Sequence, residues 1–186
     1  MFLNIVTPCS RPENLKKIAE SINIPRENYR WIVVVDMDNL PQEKYIPENC
    51  EMYLYRDARS IVGHAQRNFA IELIQEGHVY MNDDDTVLHL QLWESIKHLD
   101  SDFISFKQND SNGRLRLEGD IVRVGHIDSH NFIVSKKAIE NEKWIIDRYD
   151  ADGYFANAVY TKVNSSAEYT ATYLPAVLST YNSLRE

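Results

Sequence analysis

The chain has 186 residues, is 44% apolar, and carries 28 Asp and Glu against 20 Lys and Arg, a formal net charge of -8. That is enough chain for one well-buried core, and the acidic balance excludes a nucleic-acid binder, whose affinity rests on clustered basic side chains. No apolar stretch approaches the roughly 20 residues of a membrane span, "MFLNIV" lacks the flank and cleavage site of a signal peptide, and Cys9 and Cys50 show no metal-ligand spacing. A soluble, cytoplasmic chain with reduced thiols is expected, whole or part of a larger multidomain protein.

In chain order, "FLNIVTP" (2 to 8) predicts a first strand ended by Pro8, and "RPENLKKIAESI" (11 to 22) a helix with Pro12 at its start. "YRWIVVVDMDN" (29 to 39) predicts a second strand, apolar on both faces as a buried parallel strand is, and "EMYLY" (51 to 55) a third. From Ser60 to Glu76, Val62, Ala65, Phe69, Leu73 and Ile74 recur at helical spacing, with Gly77 as the stop. "HVYM" (78 to 81) is the next strand, and Thr86 to Leu99 predicts another helix. After Asp100 the pattern changes: residues 102 to 125 carry an Asn-Gly turn between strand-like flanks, which predicts antiparallel ribbon. "NFIVS" (131 to 135) predicts a further strand, with helices at 136 to 142 and 150 to 162. The expectation is one α/β domain over residues 1 to 186, a mostly parallel sheet flanked by helices, with a smaller antiparallel ribbon in the second half.

Ligands of open α/β sheets sit beyond the carboxyl ends of the strands, and three polar clusters fall there: Thr7 to Arg11, Asp36 to Asn39, and Asn82 to Asp85. Asp83, Asp84 and Asp85 are adjacent, and like charges this close repel unless a cation or donor array compensates them. Capping of a following helix by Asp85 or Thr86 explains one acid at such a place and not three. Hard carboxylate oxygens suit Mg²⁺ or Mn²⁺, which bind substrate phosphates alongside one or two protein carboxylates.

These residues resemble a family. A strand followed by Asp-x-Asp is the mark of the GT-A glycosyltransferases, nucleotide-sugar enzymes on a Rossmann-like sheet, and two longer stretches add specificity. "GHAQRNFAIELI" (63 to 74) resembles the Gly-x-x-Gln-Arg-Asn-x-Ala helix of the animal β-glucuronosyltransferases; "VTPCSRP" (6 to 12) resembles their opening, and "VYMNDDDTV" their aspartate strand. The likeness covers residues 3 to 95 in order and approximate spacing, then thins to "HIDSHNFIVSKKAI" and "DADGYFANAV". The whole chain also resembles the first domain of chlorella-virus glycosyltransferases.

The resemblance implies a metal-dependent transfer of a sugar from a UDP-sugar to a glycan or glycoconjugate hydroxyl, with residues 1 to 100 as the nucleotide-binding half and 101 to 186 as the acceptor and sugar half. By it, Asp85 ligates Mn²⁺ (or Mg²⁺), Asp83 and Asp84 face ribose and the donor sugar, and Asp36 or Asp38 accepts the uracil N–H. Thr7, Pro8 and Arg11 flank base and ribose, and Arg67 reaches the diphosphate or an acidic partner. An inverting enzyme needs a carboxylate base for the acceptor hydroxyl, and the family carries it at the start of a late helix. "DRYDADGYFANAV" offers Asp152, with Asp150 as alternative, although both acids also suit a helix N-terminus. His126, Asp128 and His130 receive no role. Two other classes remain. A catalytically silent nucleotide-sugar-binding module would keep Asp85 and Arg67 without needing Asp152. A sugar nucleotidyltransferase usually has a Gly-rich basic loop after the first strand, and "TPCSRPENL" contains no glycine.

Overall fold

In the computed structural model, which describes residues 1–38 and 40–185, eight strands form one continuous mixed sheet. Asn39, counted above in the second polar cluster, and Glu186 lie outside the described residues. The strands are β1 (Leu3–Cys9), β2 (Tyr29–Asp36), β3 (Glu51–Tyr55), β4 (His78–Met81), β5 (Phe103–Asn109), β6 (Leu115–Leu117), β7 (Phe132–Ser135) and β8 (Ala171–Thr180). The helices are α1 (Leu15–Ser21), α2 (His64–Leu73), α3 (Leu92–Ile96) and α4 (Ala151–Asn164).

The order β3–β2–β1–β4 is parallel throughout, and β7 then joins β4 to β5 with antiparallel pairing on both sides. β8 runs parallel to β5 on its other edge, and β6 pairs antiparallel with the end of β5. Both faces of the central strands are covered, so period-two alternation sorts their side chains into two cores. Leu3, Ile5, Trp31, Val33 and Val35 pack with Leu15 and Ile18 of α1 and with Leu92, Trp93 and Ile96 of α3. Val6, Ile32 and Val34 pack with Ala70 and Ile71 of α2 and with Phe155 and Val159 of α4. The chain leaves β1 toward β2 on one side and meets β4 on the other. A crevice opens at such a reversal, beyond the carboxyl ends of the strands.

Several expectations need correction. β1 runs on through Pro8 to Cys9; its pairing with β4 ends at Val6, so a residue without an N–H is tolerated there. β2 ends at Asp36 rather than at residue 39. The helix expected over 86 to 99 is reduced to α3, because side chains take the backbone groups a helix would use: Asn82 Nδ2 donates to Thr86 O (2.8 Å), and Val87 and Leu88 N–H donate to Ser183 Oγ and Ser21 Oγ (2.9 and 3.0 Å). Residues 136 to 141 form turns instead of a helix; Lys162 Nζ donates to the carbonyls of Ala138 and Glu140, and Asn141 has a positive φ of 71°. β8 has no counterpart among the predicted elements. The ribbon around the Asn112-Gly113 turn, the strand at 132 to 135 and α4 stand as expected.

Candidate functional site

A cavity of about 510 Å³ lies at the reversal point. Pro8 to Arg11 after β1, Asp36 at the end of β2, the start of α2 and the aspartates after β4 line it from one side. Arg116, Asp128, the segment from Tyr149 to Asp152, and Tyr181 and Arg185 line it from the other.

The charge puzzle of the three aspartates is resolved largely within the chain. Asp84 is buried and receives five hydrogen bonds: from Ser10 N–H and Oγ (2.5 and 3.0 Å), Arg11 N–H and Nε (2.7 and 2.9 Å), and Arg11 Nη2. Its acceptor capacity is spent on fixing the loop after β1, so it is not free to face the donor sugar. Asp85, also 2% exposed, accepts at Oδ2 from Arg11 Nη2 (3.0 Å) and Arg185 Nε (2.6 Å) and at Oδ1 from Thr86 Oγ1 (3.2 Å). Asp83 pairs with Arg67 Nη2. No helix begins within five residues of Asp85, so capping does not explain the acids.

Arg67 projects inward rather than into solvent. It is 3% exposed, lies over the Trp144 ring at 4.8 Å, and donates from Nη1 to Val62 O (2.7 Å). His64 Nε2 lies 2.9 Å from Arg148 O, so the proton sits there and the bare Nδ1 accepts from Arg67 Nη1 (3.1 Å). Burial, and then the Arg67 charge, push His64 down to about 4, which keeps the ring neutral. The turn before α2 places Val62 (φ 44°) and Gly63 (φ 77°) in the left-handed region. A Cβ on Gly63 would come 2.6 Å from Pro8 Cβ, so only glycine lets α2 approach β1 this closely. The strain at β-branched Val62 is held by the Arg67 hydrogen bond to its carbonyl.

His130 sits between two acids, 1% exposed, with Nε2 3.3 Å from Asp83 Oδ2 and Nδ1 3.0 Å from Asp128 Oδ1. Burial alone would lower its pKa, but the charges of Asp83 and Asp128 carry it up to about 10. The Asp83 N–H also lies 3.0 Å from Nε2, a contact that suits the neutral ring and is outweighed by the two carboxylates. Against burial, Arg67 and His130 hold Asp83 below the usual carboxylate range, and His130 and Arg116 hold Asp128 at about 2. Asp128 and Asn131 form a reciprocal cap that fixes this turn before β7.

Asp152 lies in the first turn of α4, lines the cavity, and among the described residues accepts only from the Gly153 N–H (2.8 Å). Burial first, and then the nearby negative charge of Asp128, push its carboxyl up to about 6. Asp150 stands at the N-cap position, yet its carboxylate makes no capping bond and pairs with Arg148 (3.0 Å). Of the remaining expected residues, Pro8 and Asp36 line the cavity, and Asp36 Oδ1 accepts from the Asp38 N–H (3.0 Å). Two are not brought there. Thr7 is fully buried, its Oγ1 accepting from Trp31 Nε1 (3.0 Å), and Asp38 pairs with Arg56 on the surface (2.8 Å).

Among the described residues no three His, Cys, Asp or Glu side chains group to hold a metal by themselves. The donor chemistry nonetheless fits a divalent ion: Asp85 is a hard carboxylate on the cavity, and Mg²⁺ or Mn²⁺ needs one or two of these when a diphosphate supplies further oxygens. Also among the described residues, no helix is long and apolar enough to cross a membrane.

No family model matches the chain, and no curated protein matches it. Solved structures do. Staphylococcus aureus TarS residues 1–349 superposes with a TM-score of 0.77 at 15% identity, over 97% of this chain and 60% of that one. The chain has the GT-A fold. The same TarS fragment in complex with UDP-GlcNAc gives a TM-score of 0.76 at 16% identity, over 97% of this chain and 58% of that one. The mannosyltransferase PcManGT from Pyrobaculum calidifontis, in complex with GDP-Man and Mn²⁺, gives 0.67 at 12% identity, over 97% and 56%. The chain thus spans about 60% or less of the length of these GT-A structures.

The cavity residues that the sequence did not point to include Arg116, Trp144, Tyr181 and Arg185. None stands in a motif. His130 and Asp128 did stand in a noticed segment, and the signal that could have raised them is their pairing as a basic and an acidic residue two apart just before a strand.

Proposed function

We propose that this GT-A chain is a glycosyltransferase that moves a sugar from a UDP-sugar to a hydroxyl of a glycan or glycoconjugate, with inversion at the anomeric carbon. The observation that carries this reading is Asp152, a carboxyl raised to about 6 on the same cavity as the aspartates after β4. A base is most effective with a pKa near the working pH, and a silent binding module would have no use for one. The neighbours support the donor class, since TarS was solved with UDP-GlcNAc and with UDP, and PcManGT with GDP-Man and Mn²⁺.

In this reading Asp36 accepts the uracil N–H, Pro8 and Arg11 lie along the nucleoside, and Arg67 holds Asp83 toward the ribose. Asp85 would hold Mn²⁺ or Mg²⁺, which when bound supplies Lewis-acid neutralisation of the departing diphosphate. Asp152 takes the proton of the acceptor hydroxyl as its oxygen bonds to the anomeric carbon and the bond to the diphosphate breaks. Residues 1 to 100 serve the nucleotide and 101 to 186 the acceptor.

A panel of UDP-, GDP- and CDP-sugars, assayed for nucleotide release with Mn²⁺ and with chelator and followed by NMR of the glycoside, tests the proposal. Mn²⁺-dependent release from a UDP-sugar with inverted product is expected. Release from none of the donors, or a product of retained configuration, would overturn it.

A further inference from the structure

Asp85 is 2% exposed, and two guanidinium groups converge on its Oδ2. They are not equally free. Arg11 is also bound through Nε and Nη2 to Asp84, so it cannot leave Asp85 without also giving up its bonds to Asp84. The Arg185 side chain is 53% exposed, and its one carboxylate contact among the described residues is Asp85. The backbone around it is docked independently: Leu184 N–H donates to Asp85 O (2.8 Å), Ser183 Oγ accepts from Val87 N–H (2.9 Å), and Arg185 N–H donates to Asn182 O (3.0 Å). The guanidinium can therefore swing into the cavity while the segment stays in place.

We infer that Arg185 and a divalent cation are alternative partners of Asp85, so that the protein resists a bare metal ion and accepts one together with a nucleoside diphosphate. The inference rests on the proposed function, in which Asp85 is the metal carboxylate. Its physical basis is the acceptor capacity of Oδ2, whose two lone pairs are taken by Arg11, which is tied to Asp84, and by Arg185, so a cation that binds this buried oxygen must displace Arg185. Metal alone must displace a charge-assisted hydrogen bond, while metal with diphosphate brings enough additional ligands to do so. Arg185 is then a positioning residue that couples the two ligands, a role distinct from contact with the reacting atoms.

Calorimetric titration of MnCl₂ into wild type, Arg185→Ala, Arg185→Lys and Asp85→Asn, each with and without saturating UDP, tests this. Loss of Arg185 is expected to tighten Mn²⁺ alone by about tenfold, the factor a charge-assisted hydrogen bond implies. With UDP present the affinity should change less than about threefold, so the coupling between UDP and Mn²⁺ shrinks by nearly the same factor. Arg185→Lys, which keeps a charge but loses the planar fork, should fall between. Wild type binding Mn²⁺ with UDP, and Arg185→Ala binding Mn²⁺ alone no more tightly than wild type, would overturn the inference and leave the proposed function standing. Absence of Mn²⁺ binding to every protein even with UDP, or unchanged binding in Asp85→Asn, would overturn the inference and the metal assignment together.

Discussion

Replacing Asp128 with Asn should shift the acid limb of activity to lower pH. Asp152 is held at about 6 by burial and then by the negative charge of Asp128, so removing that charge stabilises the carboxylate and lowers its pKa. Asn retains the Oδ1 acceptor that caps the turn at Ser129–Asn131, so the turn is kept, while its NH2 replaces the Oδ2 that accepted from Arg116 and that one bond is lost. Transfer requires ionised Asp152. In wild type kcat/KM should fall about tenfold per pH unit below 6, leaving roughly a tenth of the plateau at pH 5. A like charge at this range is worth about one pKa unit, so the variant should keep about half of its own plateau at pH 5. The assay is kcat/KM for sugar transfer from about pH 4.5 to 8. An acid limb that stays at 6 or moves upward in Asp128→Asn would refute the assignment of that limb to Asp152.

Two further outcomes concern the nucleotide and the fold. Cytosine presents a ring acceptor where uracil presents an N–H, so wild type should bind UDP in preference to CDP, and Asp36→Ala should relax the preference; equal affinities in wild type would remove Asp36 from base recognition. Arg67→Met should destabilise the fold by about 3 kcal/mol in urea unfolding, the low end for breaking a buried pair because Asp83 retains His130 and is one quarter exposed. The double variant with Asp83→Asn should recover part of the loss, and an unchanged midpoint in Arg67→Met would show that the pair does not hold the site.

The parallel half was legible because strands buried on both faces leave unbroken apolar runs such as "WIVVV", each followed by a polar cluster at its carboxyl end. β8 was not. It is an edge strand, exposed along much of its length and interrupted by Pro175, so it carries neither an apolar run nor clean alternation. The helix over 86 to 99 was overestimated because its periodicity is genuine, while the hydroxyls that capture its backbone, Ser21 and Ser183, are distant in sequence. At the site, the motifs located Asp83 to Asp85 and Arg67, and the resemblance pointed to Asp152, with Asp150 as alternative, at the start of the helix that is α4. The compensation of the aspartates was invisible for a physical reason: charge pairing is tertiary, and Arg185 reaches Asp85 across 100 residues. Only a divalent cation was expected there, and the fold also supplies Arg11, Arg67, Arg185 and His130.

The most direct test of the account compares binding and chemistry in Asp152→Asn. UDP and Mn²⁺ affinities should match wild type within about twofold, while transfer of sugar from a UDP-sugar falls by roughly two to four orders of magnitude, the usual worth of a positioned base. Asp150→Asn should leave transfer near wild type, since Asp150 is engaged with Arg148. Undiminished transfer in Asp152→Asn, or a loss that instead follows Asp150→Asn, would contradict the account.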